Sequence, residues 1–188
     1  MSGEDGARWD RKYTDRGPSA LGDVALPYVF APFADVFPTS GSALELACGD
    51  GGSAVWLARR GLRVGGYDVS AVAIAHARDL AVRSGQAAHC RFDVADFDDG
   101  LPTGEPVDVL LCNRFRDPRL YCPSIERLRD GGILAISVLS EVGGTPGAFR
   151  AKPGELLAAF ASLDVIASAE SGGEAWLLAR RTTGAATP

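Results

Sequence analysis

The chain has 188 residues, 46% of them hydrophobic and 23% charged, a composition typical of one folded globular domain whose core needs no disulfide or metal. Its formal net charge of -5 disfavours a nucleic-acid partner, because phosphate binding requires Lys and Arg clustered on one face. The sequence shows neither a signal-peptide core nor the roughly 20 consecutive apolar residues that cross a bilayer, which predicts a cytoplasmic protein without a membrane partner.

The predicted elements begin with a polar helix at GARWDRKYTDR and an apolar stretch at DVALPYVFAPFADVF. Two prolines in that stretch predict a broken or kinked helix, because proline cannot donate a helical hydrogen bond. We therefore interpret residues 1–40 as an N-terminal helical segment. Hydrophobic periodicity then predicts a strand at SALELA, a helix at GSAVWLARR, a strand at LRVGGYD and a helix at SAVAIAHARDLAVRSG.

The alternation continues with strands at AAHCRFDV and VDVLLCN, a helix at PSIERLRD, a strand at GGILAISVLS and a helix at KPGELLAAFASL. Repeated strand-helix units predict a mostly parallel sheet with helices on both faces. DVIASAESGGEAWLLARR reads as two strands joined by a Gly-Gly turn, so the last strand should be antiparallel. The prediction is a doubly wound, seven-stranded α/β domain over residues 41–182, followed by a disordered tail, 183–188.

The glycines of ELACGDGG directly follow the first predicted strand. In a doubly wound sheet, ligands bind beyond the carboxyl ends of the strands, and the first strand-to-helix turn makes the closest approach. Gly49 and Gly51 allow backbone conformations closed to other residues, so that N–H groups can contact a ligand. The same letters satisfy the G-x-G-x-x-A dinucleotide pattern, so the turn alone leaves the cofactor open, and a tight turn without a ligand is the structural alternative.

Acidic side chains lie in or at the end of the strands near this turn. Asp68 ends the second predicted strand, where a carboxylate can accept both hydroxyls of a ribose; the alternative is an acid at the next helix N-terminus, although Ser70 already provides a cap. Glu45 lies inside an apolar strand, where a buried charge must be paired or hydrogen-bonded. At the end of the third strand, Asp93 can accept from an adenine amino group while the N–H of Val94 meets a ring nitrogen.

ELACGDGGSAVWLARRGLRVGGYDVSAVAIAHARDLA, followed by FDVADFD and the closing hairpin, resembles the class I S-adenosylmethionine-dependent methyltransferases over residues 8–181. In that family the glycine turn wraps the methionine and ribose portions of the cofactor, the acid of the second strand holds the ribose hydroxyls, and the acid of the third strand holds the adenine amine. The resemblance implies a Rossmann-like methyltransferase fold and S-adenosyl-L-methionine as the cofactor. The residues it implies for cofactor binding are Trp9, Tyr13, Glu45, Ala47, Gly49, Gly51, Asp68, Val69, Asp93, Val94 and Asn113.

A narrower resemblance connects the chain with the small methyltransferases related to tellurite-resistance and thiopurine enzymes. It is carried by WDRKYTDRG, LACGDGGSAVWLARRG, LLCNRFRDPRLY and FRAKPGELLAAF. Those enzymes use the N-terminal segment as a lid over the cofactor, which implies that role for Trp9 and Tyr13; a surface helix anchored by two aromatic residues is the structural alternative. Gly52 departs from the pattern, since many relatives have Arg or Asn there.

Neither histidine lies where methyl transfer would need a general base. His76 falls within the second predicted helix of the alternating region and His89 near the start of the third strand, so we expect structural roles for both. An acceptor that is already nucleophilic, such as a thiol, a chalcogen oxyanion or a carboxylate, fits such a site better than an aliphatic alcohol. Glu141, Asp117 and Tyr121 stay open as alternative bases.

A basic segment, NRFRDPRLY, follows the fourth predicted strand. Arginines at a pocket mouth favour recognition of an anion, whereas solvated arginines paired with neighbouring acids are the alternative. NRF also differs from the N-P-P-Y type tetrapeptide of enzymes that methylate amino groups of nucleic acids, which disfavours base methylation. The predicted function is methyl transfer to a small, anionic or soft-nucleophile acceptor. The candidate catalytic residues are Asn113, Arg114, Arg116 and Glu141, with Arg119, Arg150 and Lys152 as further basic candidates.

The four cysteines, Cys48, Cys90, Cys112 and Cys122, form no C-x-x-C pair, so we expect buried, reduced thiols and no metal site. Two rival functions stay open. One is a nicotinamide-dependent oxidoreductase built on the same glycine turn, and the other is a module that binds S-adenosylmethionine without catalysis. We expect a monomer, because the chain reads as one self-sufficient domain.

Overall fold

The computed structural model describes residues 3–182. The tail predicted to be disordered, residues 183–188, lies outside these described residues. The chain divides into two compact units, residues 1–103 and residues 104–188. Residues predicted for cofactor binding or catalysis occur in both units.

The N-terminal segment of the first unit begins with α1, Gly3–Arg16, as the polar pattern predicts. The apolar stretch that follows was predicted as a broken or kinked helix, and the described residues there form short, interrupted 3₁₀ pieces and no α-helix. Short 3₁₀ helices at Leu21–Asp23 and Ala31–Val36 take its place, with non-helical backbone at Phe33. Pro32 at the start of the second one lacks an N–H donor and restricts the residue before it, so the chain turns instead of continuing as an α-helix.

Strands and helices then alternate through the rest of the first unit. Their bounds are β1 Gly41–Leu46, α2 Gly52–Arg59, β2 Leu62–Asp68, α3 Ala71–Arg83 and β3 Cys90–Val94. β1 and β3 both pair in parallel with β2, so the carboxyl ends of the three strands lie at the same edge of the sheet. Ser70 caps α3 by accepting a hydrogen bond from the N–H of Ala73, which confirms the predicted cap.

The second unit is built mainly from strands. The bounds of its elements are β4 Val107–Asn113, α4 Tyr121–Arg127, β5 Leu128–Leu139, α5 Glu155–Ala159, β6 Asp164–Ser171 and β7 Glu174–Arg180. β4 and β5 are parallel, whereas β7 runs antiparallel to both β5 and β6. The turn between β6 and β7 consists of Gly172 and Gly173 with φ values of 59° and 84°, as a tight hairpin requires.

The described strands form a seven-stranded sheet in the order β3-β2-β1-β4-β5-β7-β6. This confirms the predicted α/β class, the mostly parallel sheet and its antiparallel last strand. The helices of the second unit were predicted less well: α4 ends at Arg127, where β5 begins at once, and α5 has only 5 residues. In the described part of the chain, no helix combines the length and apolar character needed to span a membrane.

Candidate functional site

The turn after β1 has the conformations for which the glycines were predicted. Gly49 and Gly51 adopt φ values of 53° and 80°, in the left-handed region that glycine enters without strain. The N–H of Gly49 donates a 2.9 Å hydrogen bond to Oδ2 of Asp68. A Cβ at Gly51 would instead lie 2.8 Å from Cβ of Ala77 on α3. Gly51 therefore permits close packing of the turn on α3, whereas Gly49 links the turn to the end of β2.

Ala47, which begins the turn, has a φ of 51° although it is not a glycine. Left-handed backbone costs such a residue on the order of 1 kcal/mol, so the surrounding structure must hold it. The next residue provides this support, because the N–H of Cys48 donates to the carbonyl of Tyr67 at 3.0 Å, and its own carbonyl accepts from Gly51 at 3.0 Å. Backbone strain held in this way is common at ligand-binding turns.

Asp68, at the carboxyl end of β2, is only 6% exposed and ties two turns together. Its Oδ2 accepts from the N–H of Gly49 and its Oδ1 from the N–H of Ser70, both at 2.9 Å. Burial raises the pKa of Asp68, and the two amide hydrogen bonds oppose this shift. A carboxylate has about four acceptor sites, so acceptor capacity remains for ligand hydroxyls.

Glu45 lies inside β1 and is 3% exposed. Its carboxyl accepts from the N–H of Ala54 and the hydroxyl of Ser53 at the start of α2, while Oε2 has no hydrogen-bond partner among the described residues. Burial raises the pKa of Glu45 to about 8. The side chain is therefore mainly protonated at neutral pH, which explains how an apolar strand tolerates it.

α1 lies over the turns that follow β1 and β2. Oδ1 of Asp10 accepts the hydroxyl of Ser70 at 2.6 Å and the N–H of Val72 at 3.2 Å. Tyr13 is 8% exposed, and its hydroxyl oxygen lies 2.6 Å from the position that a Cβ of Gly49 would occupy. The N-terminal helix is thus fastened to the start of α3, and its tyrosine rests directly on the glycine turn.

Trp9 and Val69 also belong to this region. The ring centres of Trp9 and Tyr13 are 6.1 Å apart, and the ammonium of Lys12 lies 4.3 Å from the Trp9 ring. Cγ2 of Val69 lies 3.7 Å from the Cβ position of Gly6 on α1. α1 therefore contacts Val69 directly, whereas these contacts of Trp9 are with its own helix, and its role at the cofactor stays a prediction.

Asp50 belongs to the glycine turn but was missed as a site residue. It is 7% exposed, with Oδ2 accepting the hydroxyl of Ser19 at 2.7 Å and Oδ1 lying 3.5 Å from Nη1 of Arg16. The sequence signal that could have revealed it is a charged residue between two glycines of a tight turn, where the side chain is readily buried. Gly52 meets the same segment, since a Cβ there would lie 2.9 Å from the carbonyl oxygen of Asp23.

Asp93 and Val94 end β3 beside β2, where the register pairs Val94 with Asp68. Oδ2 of Asp93 lies 2.6 Å from Nε of Arg91, and its Oδ1 lies 3.3 Å from Nη2 of Arg78. Two arginines therefore orient this carboxylate, while Val94 is exposed. The structure brings the predicted ribose and adenine acids to neighbouring strand ends.

In the second unit, Asn113 and Arg114 lie together at the carboxyl end of β4. Oδ1 of Asn113 accepts the hydroxyl of Ser137 at 2.7 Å, and the N–H of Arg114 donates to the carbonyl of Ser137 at 2.8 Å. Arg114 has a φ of 57°, which is strained for a residue with a long side chain. Its side chain is 59% exposed, and its Nε lies 3.5 Å from Oε1 of Glu174.

Arg116 forms a bidentate ion pair with Glu155, with nitrogen-oxygen distances of 2.7 and 2.8 Å. The hydroxyl of Tyr121 donates to the same carboxylate at 2.8 Å. The hydrogen bond from Arg116 lowers the pKa of Glu155 to about 2, and burial raises the pKa of Tyr121. This arrangement fixes the loop after β4 to α5, favours a structural role for Arg116 and disfavours Tyr121 as a general base.

The other charged candidates of this unit are also paired. Nη2 of Arg119 lies 2.6 Å from Oδ2 of Asp117, and Nζ of Lys152 lies 2.7 Å from Oε1 of Glu141. The hydrogen bond from Lys152 lowers the pKa of Glu141, which weakens it as a base. Arg150 donates to two backbone carbonyls, at 2.7 and 3.1 Å.

The cysteines differ in exposure more than predicted. Cys48 and Cys112 are buried, Cys90 is partly buried and Cys122 is exposed. The expectation of a buried thiol is therefore wrong for Cys122, which lies in the first turn of the short helix α4. Within the part of the chain that the structure describes, no group of three or more His, Cys, Asp or Glu side chains could hold a metal ion.

Residues 43–128, from β1 to the beginning of β5, match the family model described as a methyltransferase domain. This part of the chain is a methyltransferase domain. The match confirms methyltransferase as the predicted enzyme class, and it does not favour the nicotinamide and non-catalytic alternatives. No curated protein sequence matches this methyltransferase at a significant level.

Solved structures share the fold of this methyltransferase. TehB from Haemophilus influenzae has a TM-score of 0.74 at 17% identity, over 92% of this chain and 67% of its own. Geranyl diphosphate C-methyltransferase from Streptomyces coelicolor A3(2) has a TM-score of 0.68 at 18% identity, over 95% and 98% of the two chains. A structure described for the conversion of a disulfide bond into a thioacetal group during echinomycin biosynthesis has a TM-score of 0.67 at 22% identity, over 94% and 93%. Identities this low show the fold alone, so the narrower resemblance to tellurite-resistance and thiopurine enzymes stays a prediction.

Proposed function

We propose that the turns after β1, β2 and β3 hold S-adenosylmethionine, and that the enzyme methylates a small anionic or soft-nucleophile acceptor. The cofactor supplies a methyl group that is already activated by the positive charge on sulfur. The remaining work of the protein is to position the acceptor and to exclude water. The observation that carries the proposal is Asp68, a buried carboxylate that fixes the glycine turn and still has acceptor capacity.

The residues of the first unit fit this cofactor. Asp68 would accept the ribose hydroxyls and Asp93 the adenine amine, with the N–H of Val94 beside it. Gly49 has no side chain and its N–H already fixes the turn, so what it offers the methionine portion is its bare backbone surface, which Tyr13 covers in this structure. Tyr13, resting on Gly49, supports the proposed lid role of α1.

Arg114 is the basic residue of the second unit that best fits acceptor recognition. Its strained backbone conformation is held by a hydrogen bond to Ser137. Its guanidinium extends from the carboxyl end of β4, and the side chain is 59% exposed. Arg116, in contrast, makes a partly buried pair with Glu155, so we assign it to positioning the loop. Arg119 pairs with a neighbouring aspartate two residues away, as solvated loop arginines commonly do.

The candidate bases favour an acceptor that needs no deprotonation. The pKa of Glu141 is lowered by Lys152 and that of Tyr121 is raised by burial, so at neutral pH Glu141 is a weak base and Tyr121 stays protonated. A thiolate, a chalcogen oxyanion or a carboxylate meets this condition. A cytoplasmic monomer acting on such a small molecule stays our prediction.

Formation of S-adenosylhomocysteine from S-adenosylmethionine, measured with an aromatic thiol, tellurite and a small carboxylate as acceptors, tests the proposal. We expect turnover with at least one of them. For the acceptor that turns over, Arg114→Ala should raise KM about tenfold, the loss of one charge-assisted contact, while Arg119→Ala leaves KM nearly unchanged. Tight binding of S-adenosylhomocysteine without turnover of any acceptor, or an unchanged KM in Arg114→Ala, would count against the proposed acceptor class.

A further inference from the structure

Two buried carboxylates, Asp50 and Asp68, lie at the glycine turn, at 7% and 6% exposure. The hydroxyl of Tyr13 lies over the same turn, 2.6 Å from the Cβ position of Gly49. Burial is the largest cause that raises the pKa of Tyr13, and the charges of Asp68 and Asp50 raise it further, whereas Arg16 lowers it. The two carboxylates and Arg16 therefore act on one small region, beside Gly49.

The charges in this region are unequally compensated. Asp68 is held by neutral amide groups and forms no ion pair among the described residues. Asp50 accepts the neutral hydroxyl of Ser19, and its cationic partner is Arg16, at 3.5 Å. The Arg16 guanidinium lies 5.0 Å from the centre of the Tyr13 ring, and its side chain is 53% exposed. Among the described residues, two buried carboxylates thus face one half-exposed cation, Arg16.

We propose that Asp50 and Asp68 make the glycine turn selective for a cation, that Arg16 is its built-in counterion, and that Asp50 thereby distinguishes the methyl donor from the spent donor. The inference rests on the proposed cofactor site. The sulfur of S-adenosylmethionine carries a positive charge, whereas that of S-adenosylhomocysteine is neutral. The turn therefore binds the donor, with its charged sulfur, more tightly than the product, whose sulfur is neutral.

The size of the effect follows from the burial of the carboxylates. A unit charge about 12 Å from a ligand cation changes its affinity by about tenfold at an effective dielectric constant of about 20, and a nearer charge changes it more, so tenfold is a lower bound. Arg16 has a smaller influence, because its half-exposed guanidinium is screened by water and salt. Asp50 should therefore set most of the preference, and Arg16 should reduce it.

Sinefungin and S-adenosylhomocysteine are the probes for this charge. They have nearly the same shape, but sinefungin carries an amine, cationic at neutral pH, near the position of the sulfonium. Calorimetric Kd values for both at low salt give a preference ratio for each variant. We expect Asp50→Asn, which can still accept from Ser19, to lower the preference for sinefungin about tenfold, and Arg16→Gln to raise it about threefold.

Matched controls remove the same charges elsewhere in the unit. Asp79→Asn neutralises an acid of α3 that pairs with Arg83, and Arg11→Gln neutralises an exposed arginine of α1. Both should leave the ratio within about twofold of wild type, because screening reduces distant surface charges. Thermal unfolding verifies that each variant folds. If Asp50→Asn does not fold, the preference ratio of Arg16→Gln decides the test.

One result would overturn the inference, namely a ratio that stays unchanged in both Asp50→Asn and Arg16→Gln. If the two affinities then fall together by the same factor, the residues serve only to dock α1. Failure of wild type to bind either ligand would instead remove the proposed cofactor site itself. The two failures are therefore distinguishable in one experiment.

Discussion

The two units use charged side chains in opposite ways. At the glycine turn, Asp50 and Asp68 are buried and held mainly by neutral donors. Between the loop after β4 and helix α5, Arg116 and Glu155 neutralise each other directly. A buried charge with little compensation indicates a ligand of opposite charge or matching donors, whereas a buried charge with a full partner indicates a brace between loops.

The largest expected effect concerns the first unit. Asp68→Ala should weaken S-adenosylhomocysteine binding at least about 100-fold, because it removes the ribose acceptor and also frees the N–H groups of Gly49 and Ser70. Calorimetry measures the loss, with Asp79→Ala on α3 as the control. An Asp68→Ala variant that is folded and retains wild-type affinity would refute the distinction between the two units.

Gly51→Ala tests the packing of the same turn. The new Cβ would lie 2.8 Å from Ala77 and 3.0 Å from the ring of Phe92, at a φ of 80°. We expect a loss of about 3 kcal/mol in the free energy of unfolding, from overpacking added to backbone strain. Gly85→Ala is the matched control, since its φ is 68° with nothing within 4 Å, and it should cost about 1 kcal/mol. Equal losses in urea unfolding would show that packing plays no part.

In the second unit, Arg116→Ala should lower the free energy of unfolding by about 2 kcal/mol. The value is below that of a fully buried pair, because the Arg116 and Glu155 side chains are 17% and 16% exposed. Arg119→Ala, which removes a 62% exposed arginine from its pair with Asp117, should cost less than about 0.5 kcal/mol. If urea unfolding gives the same loss for both, Arg116 is not the brace that we infer.

The smallest expected effect is the change in the free energy of unfolding per pH unit that Glu45 causes. Its pKa in the folded state is about 8, against an ordinary value of 4.5, so the folded protein keeps a proton that the unfolded chain releases. Wild type should therefore lose stability as the pH rises from 4.5 towards 8, by about 1.4 kcal/mol per pH unit at most. Glu45→Gln removes this dependence, so its stability relative to wild type should rise across that window. Parallel curves of melting temperature against pH would exclude a protonated Glu45.

The sequence predicted best those features that depend on neighbours along the chain. The bounds of β2 and β4 agree with the predicted strands, because turn residues delimit both apolar runs, and Asp68, Asp93 and Asn113 follow from strand ends. Features that depend on distant segments were missed. Arg16 contacts Asp50 and Arg116 contacts Glu155 only after folding, so no local sequence pattern predicts either pair. Helix α5 is shorter than its apolar pattern suggests, because Gly154 starts it in a left-handed conformation and Phe160 ends it.

The close approach of the Asp23 carbonyl to Gly52 has an evolutionary consequence. A Cβ at residue 52 and the present path of the N-terminal segment exclude each other, since 2.9 Å leaves no room for both. A larger residue at position 52 is therefore compatible with this fold only if the backbone at Asp23 shifts, which couples changes at the two positions.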